Sequence, residues 1–370
     1  KAAEEARERA AARFNLDPKQ DLFFFKTLHS LALAMTDIRT DQVMQPEHYR
    51  ELGKSIGVNL GAAADNRFSD IPETQKSSDP ILGLINLAIL RKVPLRTQYN
   101  ISQIDESWNV VKYVDEALTK YKKSYTLYDF TDMLRVFAET GQSCCPRFAV
   151  TFLDEAQDLS PLQWDIAHML DRQSERMYCA GDDDQAIYRW AGADVDQFIG
   201  LEGGSETLSQ SYRVPQLPWE IAQNVARRIH RRFPKTYKPR DERGMVRRIS
   251  MVNELDMSEG SWLILAQAAY LLQDVSSDLK AMGLLFNFRG HRSVSERMSE
   301  AINGWEQLRK DKEISGRAVK SIYSYMSSKD RIKRGFKKLG GLEEDEMFSF
   351  DVLVKDYGLL ATKDMIWHVA

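Results

Sequence analysis

The chain has 370 residues, 43% hydrophobic and 28% charged, without a long biased tract. That profile excludes a disordered or fibrous protein and leaves length enough for two or three separately cored units. Its 51 basic and 54 acidic side chains give a formal charge of −3, so nucleic-acid binding has to come from local basic patches rather than from a global field.

The opening KAAEEARERAAARF is a charged, Ala-rich helical pattern with no signal-peptide core. It starts at Lys1 rather than Met, and the closing ATKDMIWHVA stops inside an apolar pattern, so both ends are expected to be cut. Between about Pro46 and Ser124 the pattern turns helical and polar, with a Gly/Ala/Asn/Ser-rich stretch, GVNLGAAADNRFSD. This reads as an inserted helical subdomain. The longest apolar run, Ile81 to Leu90, is broken by Gly83 and Asn86 and is far below the roughly 20 residues of a membrane span, so no membrane partner is expected. Three cysteines, Cys144, Cys145 and Cys179, match neither a disulfide framework nor a zinc spacing and suit a reducing cytoplasm.

Beyond residue 147, short β-branched and aromatic runs alternate with 3.6-period patterns, as in βα units that build a parallel sheet. Phe148 to Leu153 is the first predicted buried strand, followed by a helix from Pro161 to Leu170, and Met177 to Ala180 is the second strand. Thr207 and Leu208 suggest a short strand leading to a helix opened by Pro215 and Pro218. Trp262 to Ala266 reads as another strand, followed by a helix and then the strand-like LLFNF before Gly290. From Gly316 to Ala370, basic KDRIKRGFKK and acidic LEEDE runs suggest a second insertion.

Asp154 and Glu155 follow the first strand directly, at the edge where open α/β sheets bind ligands. In a nucleoside triphosphatase, the first such acid anchors Mg2+ and the second polarises the attacking water. Taken alone, the pair fits a helix N-cap equally well. The second strand ends in GDDDQAIYRWAGAD, where Gln185 suits a γ-phosphate or its attacking water and Tyr188 and Trp190 offer faces for stacked bases. A core role for Trp190 stands beside that reading. In LSQSYR, Arg213 can meet developing charge on a γ-phosphate and Tyr212 can stack on adenine, although a Tyr-Arg pair by itself carries no weight. A basic run, Arg227, Arg228, Arg231, Arg232, Lys235, Lys238 and Arg240, suits either a solvated helix face or a DNA-backbone track.

In this order and spacing, DEAQD, GDDDQAIYRWAGAD and LSQSYR resemble motifs II, III and IV of the UvrD/Rep/PcrA helicases of superfamily 1. Thr27-Leu28-His29-Ser30 resembles the family's TFHS motif, YDFTDML its DFDDLL segment, Lys1 to Ala6 the tail of motif Ia, and the segment from Trp262 to Gly290 its motif IVa region. The resemblance implies two RecA-like domains with parallel sheets: residues 1–45 and 125–205 for the first, 46–124 for its helical insert, 206–315 for a partial second domain and 316–370 for the start of a second insert. It implies ATP and Mg2+ (Asp154), catalysis by Glu155, Gln185 and Arg213, nucleotide contact by Tyr212, and DNA contact by Thr27, His29, Ser30, Tyr188 and Trp190. The implied activity is ATP-driven movement on single-stranded DNA and unwinding at ss/ds junctions, with 3′ to 5′ polarity, in the cytoplasm of a bacterial or virus-infected cell.

The chain also departs from the family pattern. The GxxxxGK[ST] loop does not occur in it and is expected upstream of Lys1, with motifs V and VI beyond Ala370. Ala191 and Gln267-Ala268 stand where the family has arginines. Two competing readings are a helicase–nuclease of the RecB or AddA type and a DNA-binding scaffold without ATPase activity; retention of Asp154, Glu155, Gln185 and Arg213 argues against the scaffold.

Overall fold

A computed structural model describes residues 2–60, 79–288, 290–326, 330–337, 339 and 342–365. Most of the Gly/Ala/Asn/Ser-rich stretch lies outside these residues. The chain divides into two compact units, Lys1–Val246 and Arg247–Ala370.

In the first unit, α1 (Ala2–Phe14) and α2 (Leu28–Met35) precede four helices of the expected insert: α3 (Pro46–Ile56), α4 (Pro80–Leu90), α5 (Leu95–Ile101) and α6 (Trp108–Tyr125). Local chemistry sets several of their ends. Thr27 caps α2 by accepting the Ser30 N–H, and Asp79 caps α4 by accepting from Ile81 and Leu82, with Pro80 in the first turn. Gly57 ends α3 in the left-handed conformation at φ 67°. From these helices Tyr49, Leu52, Leu82, Ile85, Val111, Val114 and Leu118 form one core, which Met44 and Leu127 join.

Next come α7 (Phe130–Cys144), β1 (Phe148–Leu153), α8 (Pro161–Arg172) and β2 (Ser174–Cys179). The two strands pair in parallel, Phe148 opposite Ser174 and Leu153 opposite Cys179, with α8 as the crossover. A Ser160/Gln163 capping box and Pro161 start α8 where the sequence predicts. Its apolar stripe joins two cores: Ile166, Met169 and Leu170 pack with Leu31, Leu134 and Phe137, whereas Trp164 and Ala167 pack with Leu153 and Ala156. The strand expected to be buried has only Leu153 buried, with Ala149, Val150 and Phe152 exposed. Val150 is 43% exposed and Phe152 78%, stacked on Tyr178 at 5.3 Å.

After β2 come α9 (Val195–Ile199) and α10 (Gln216–Ala226), which starts after Pro215 as expected. Thr207 and Leu208 are not a strand; this segment makes a single parallel bridge, Gln210 with Lys238. Residues 206–246, expected to open a second RecA-like domain, lie in the first unit.

The second unit holds α11 (Leu272–Ala281), a two-residue antiparallel pair of β3 (Asn287–Phe288) and β4 (His291–Arg292), and α12 (Glu296–Arg309). β5 (Ile314–Ser315), α13 (Gly316–Tyr325), β6 (Met347–Phe348) and α14 (Phe350–Asp356) complete it. The expected strand at 262–266 does not form: no described strand pairs with it, and Leu263 and Leu265 are 81% and 80% exposed. The unit's core, built on Trp305, Leu308, Ile322, Tyr323 and Leu353, begins at Ala301, upstream of the insert boundary expected at 316.

Candidate functional site

Asp154 and Glu155 emerge at the C-terminal end of β1, both exposed. The Glu155 N–H donates to Asp154 Oδ1 at 3.0 Å, and the Glu155 backbone is left-handed at φ 52°, ψ 39°. A non-glycine residue held there costs about 1 to 3 kcal/mol and persists only when its surroundings over-determine it. Here the surroundings are the 3-10 turn Ala156–Asp158 and a continuation of the sheet ladder, in which Ala180 N–H donates to Leu153 O at 2.7 Å and Ala156 N–H to Ala180 O at 3.0 Å. Gln157 is 2% exposed; its Nε2 donates to Glu155 Oε2 at 2.7 Å and its Oε1 accepts the Asp182 N–H at 3.1 Å. Burial, reinforced by the Glu155 charge, pushes the neighbouring Asp158 carboxyl up to about 6.

Gly181 and Asp182 leave β2 beside this turn. Asp182 caps the 3-10 turn Asp183–Gln185 by accepting from Asp184 N–H at 3.2 Å, and its Oδ2 accepts from Gln185 Nε2 at 2.5 Å. Thus Asp154, Glu155 and Gln185 share one sheet edge, joined through Gln157 and Asp182.

The basic run docks on the same turn. α10 stops at Ala226, so Arg227 to Arg240 do not form the expected helix face. Arg232 grips Asp184 with two nitrogens, at 2.9 and 2.5 Å. Lys235 lies 2.9 Å from Asp182 and 3.2 Å from Asp184, and it also bonds Asp183, which accepts the Phe233 N–H at 2.7 Å. Burial alone would raise the Asp182 carboxyl, but hydrogen bonds from Gln185 and Lys235 outweigh it and hold the group below its ordinary value. Burial likewise opposes the Lys235 charge, yet the bonds to Asp183 and Asp182 keep its pKa raised. Arg231 pairs with Asp196 at 3.4 Å and Arg240 with Glu242.

In the loop after Gln185, Trp190 is 63% exposed, its ring 6.5 Å from that of Tyr188. The alternative of a core tryptophan is therefore overturned. The loop rests on α4: Arg91 Nη2 donates to Arg189 O at 2.9 Å, and Gly192, at φ 100°, would bring a Cβ to 3.0 Å from Leu87. Ala191 is buried.

The remaining predicted site residues are less concentrated. Tyr212 is 84% exposed, and the Arg213 N–H donates to Ser211 Oγ at 3.4 Å; neither side chain bonds the acids of the two turns among the described residues. Thr27 and Ser30 are exposed, whereas His29, expected against DNA, is 7% exposed and packs edge-on against Phe130 at 5.8 Å. Its place on the inner face of α2, beside Leu31 and Ala32, accounts for that burial.

No group of three or more potential ligands clusters for a metal among the described residues. Mg2+ is held by one or two protein carboxylates and otherwise by water and phosphate oxygens, so a single exposed carboxylate is the feature to look for. Asp154, exposed at the strand end, fits that role. No helix of the described residues is long and apolar enough to cross a membrane. Sequence reasoning missed Gln157, although its two-residue offset from Glu155 was visible, and it saw Arg232 and Lys235 without their acid partners.

Comparison with known proteins places the chain itself in a family. The family model for the UvrD/REP helicase N-terminal domain matches residues 1–203. The ATP-dependent DNA helicase PcrA of Leuconostoc citreum is 24% identical over 344 residues, covering 88% of this chain and 45% of that protein. The putative ATP-dependent DNA helicase YjcD of Bacillus subtilis is 24% identical over 338 residues, 88% of this chain and 42% of its own length. The RecBCD subunit RecB of Buchnera aphidicola is 25% identical over 138 residues, 35% of this chain and 11% of RecB. The chain thus spans less than half the length of each of these relatives, and with more than half of its own residues matched by the family model, it belongs to the UvrD/REP helicase family.

Proposed function

We propose that this chain carries part of the machinery of an ATP-dependent DNA helicase, in which hydrolysis between two RecA-like domains drives movement along single-stranded DNA and opening of ss/ds junctions, in the 3′ to 5′ direction, for replication or repair. The observation that carries the reading is the shared edge of β1 and β2, where Asp154, Glu155 and Gln185 stand together and a loop with a half-buried Tyr188 and an exposed Trp190 follows within five residues of Gln185. Asp154 would hold Mg2+, which neutralises charge on the β- and γ-phosphates. Glu155 takes a proton from the attacking water, and Gln185 orients that water or the γ-phosphate once its amide leaves Asp182. Arg213 meets charge developing on the transferred phosphoryl group, and Tyr212 stacks on adenine. Thr27, Ser30, Tyr188 and Trp190 form the DNA side; His29, being buried, supports α2 from behind.

The RecB match favours a second reading, a helicase–nuclease, but it covers only 35% of this chain against 88% for PcrA. In the full-length protein, Glu155→Gln keeps the side chain's shape but removes the base. ATP binding should survive while DNA-stimulated turnover falls at least about 100-fold. Unchanged turnover would place the base elsewhere.

A further inference from the structure

The site contains a buried amide that the reaction scheme above does not use. Gln157 is 2% exposed, and both ends of its side chain are engaged: Nε2 on the Glu155 carboxylate at 2.7 Å, Oε1 under the Asp182 N–H at 3.1 Å. The chemistry of its partners fixes the amide's orientation, because a carboxylate only accepts and a backbone N–H only donates. Space for the bridge is provided by Gly181, where a Cβ would sit 2.5 Å from Gln157 Oε1 and 3.0 Å from Phe198. Asp182 in turn bonds Gln185. A continuous path therefore runs from Glu155 through Gln157 and Asp182 to Gln185, and Glu155 keeps its left-handed backbone without being glycine.

We propose that Gln157 is a positioning residue that holds the Glu155 carboxylate in register with the Asp182–Gln185 turn, so that the base and the γ-phosphate contact move as one unit. The inference rests on the helicase reading above and deepens it. Gln157 touches no substrate atom; it acts by limiting where the Glu155 carboxylate can lie. A carboxylate displaced by about 1 Å from the attacking water can lose about 100-fold in rate without any loss of substrate binding. Its carbonyl, meanwhile, ties the start of the second turn to the first, and because the Gln185 N–H also donates to Asp182 O at 2.9 Å, that turn stays linked to Glu155 when the Gln185 amide leaves Asp182 for a γ-phosphate.

The test compares Gln157→Leu and Gln157→Glu with the unsubstituted full-length protein, measuring ATP affinity with a fluorescent analogue and DNA-stimulated hydrolysis. Gln157→Leu keeps the volume but removes both bonds; ATP affinity should stay within about threefold while kcat falls about 10- to 100-fold. Gln157→Glu keeps an acceptor for the Asp182 N–H but can donate to Glu155 only when protonated. Its activity should therefore be low at pH 8 and recover, relative to the unsubstituted protein, towards pH 6. The charged groups around the new carboxyl are Asp154, Glu155 and Asp158 on its own turn, and Asp182, Asp183 and Asp184 on the facing turn with Arg232 and Lys235 behind them. On α9, which packs against the first turn, Asp196 carries partners of its own, Arg189 and Arg231. If melting shows that Gln157→Leu does not fold, Gly181→Ala displaces the same amide from the other side and should give the same split between kcat and affinity. Turnover within about threefold of the parent in folded variants, or a loss of affinity equal to the loss of turnover, overturns the inference while the helicase reading stands. Absence of ATP hydrolysis in the unsubstituted protein overturns both.

Discussion

Lys235 Nζ lies 2.9 Å from Asp182 Oδ1, and through that contact the segment after α10 is fastened to the turn that carries Gln185. Three consecutive carboxylates, Asp182 to Asp184, would repel one another in a half-buried turn; Lys235 and Arg232 make the arrangement tenable. The Lys235 side chain is 12% exposed and that of Asp183 2%. Removing one member of such a cluster leaves charge uncompensated where water cannot screen it.

Lys235→Met should therefore destabilise the protein by about 3 to 5 kcal/mol, with Asp183→Asn in the same chain recovering part of the loss. Urea unfolding near pH 7 measures both. The pH dependence follows from the directions of the shifts. Asp182, held low, contributes stability that is present above its unfolded value of about 3.9 and lost as pH falls through its folded value. Lys235, held high, contributes stability that is present below about 10.4 and lost as pH rises through its folded value. Lys235→Met should weaken both limbs; limbs as steep as in the parent would show that the cluster is not the source.

Asp158 has the opposite sign to Asp182. Its carboxyl titrates at about 6 in the folded chain because of burial and the Glu155 charge. Between about 4 and 6 the folded state binds a proton that the unfolded state has released, so stability falls as pH rises through that window. Asp158→Asn abolishes the titration. Relative to the parent, the variant should gain stability steadily from pH 4 to pH 7 and then level off. A difference that is flat across this range would refute the assignment.

Trp190 separates a DNA-tracking loop from an ordinary surface. With 63% of the residue exposed, truncation should change the melting temperature little, as surface substitutions usually stay within about 0.5 kcal/mol. If bases stack on Trp190, Trp190→Ala should weaken single-stranded DNA binding about 5- to 150-fold at fixed salt, because each stacked base contributes about 1 to 3 kcal/mol. DNA-free ATP hydrolysis should stay near the parent's. Unaltered DNA affinity in the folded variant would remove Trp190 from the interface.

What could be read along the chain was whatever depends on near neighbours. Strand β1 and the acids that follow it, the Ser160/Gln163 start of α8, and the helix opened by Pro215 all appear within a residue or two of expectation, because caps, turns and strand ends are set by groups a few residues apart. The order of the three motifs was likewise enough to indicate the family. Other features depended on which distant segments meet. An apolar run states that a strand wants cover, not that a partner provides it: Phe152 is exposed, and 262–266 forms no strand. The same holds for His29, which the family resemblance sets against DNA but whose helix turns it towards Phe130. The basic run from Arg227 to Arg240 read as a solvated helix face or a DNA-backbone track, and only the path of the chain back to β2 brings Arg232 and Lys235 within 3.2 Å of Asp184. Ion pairs between residues some fifty positions apart leave no periodic trace in a sequence, because Coulomb attraction depends on distance in space, and that distance is set by the packed fold.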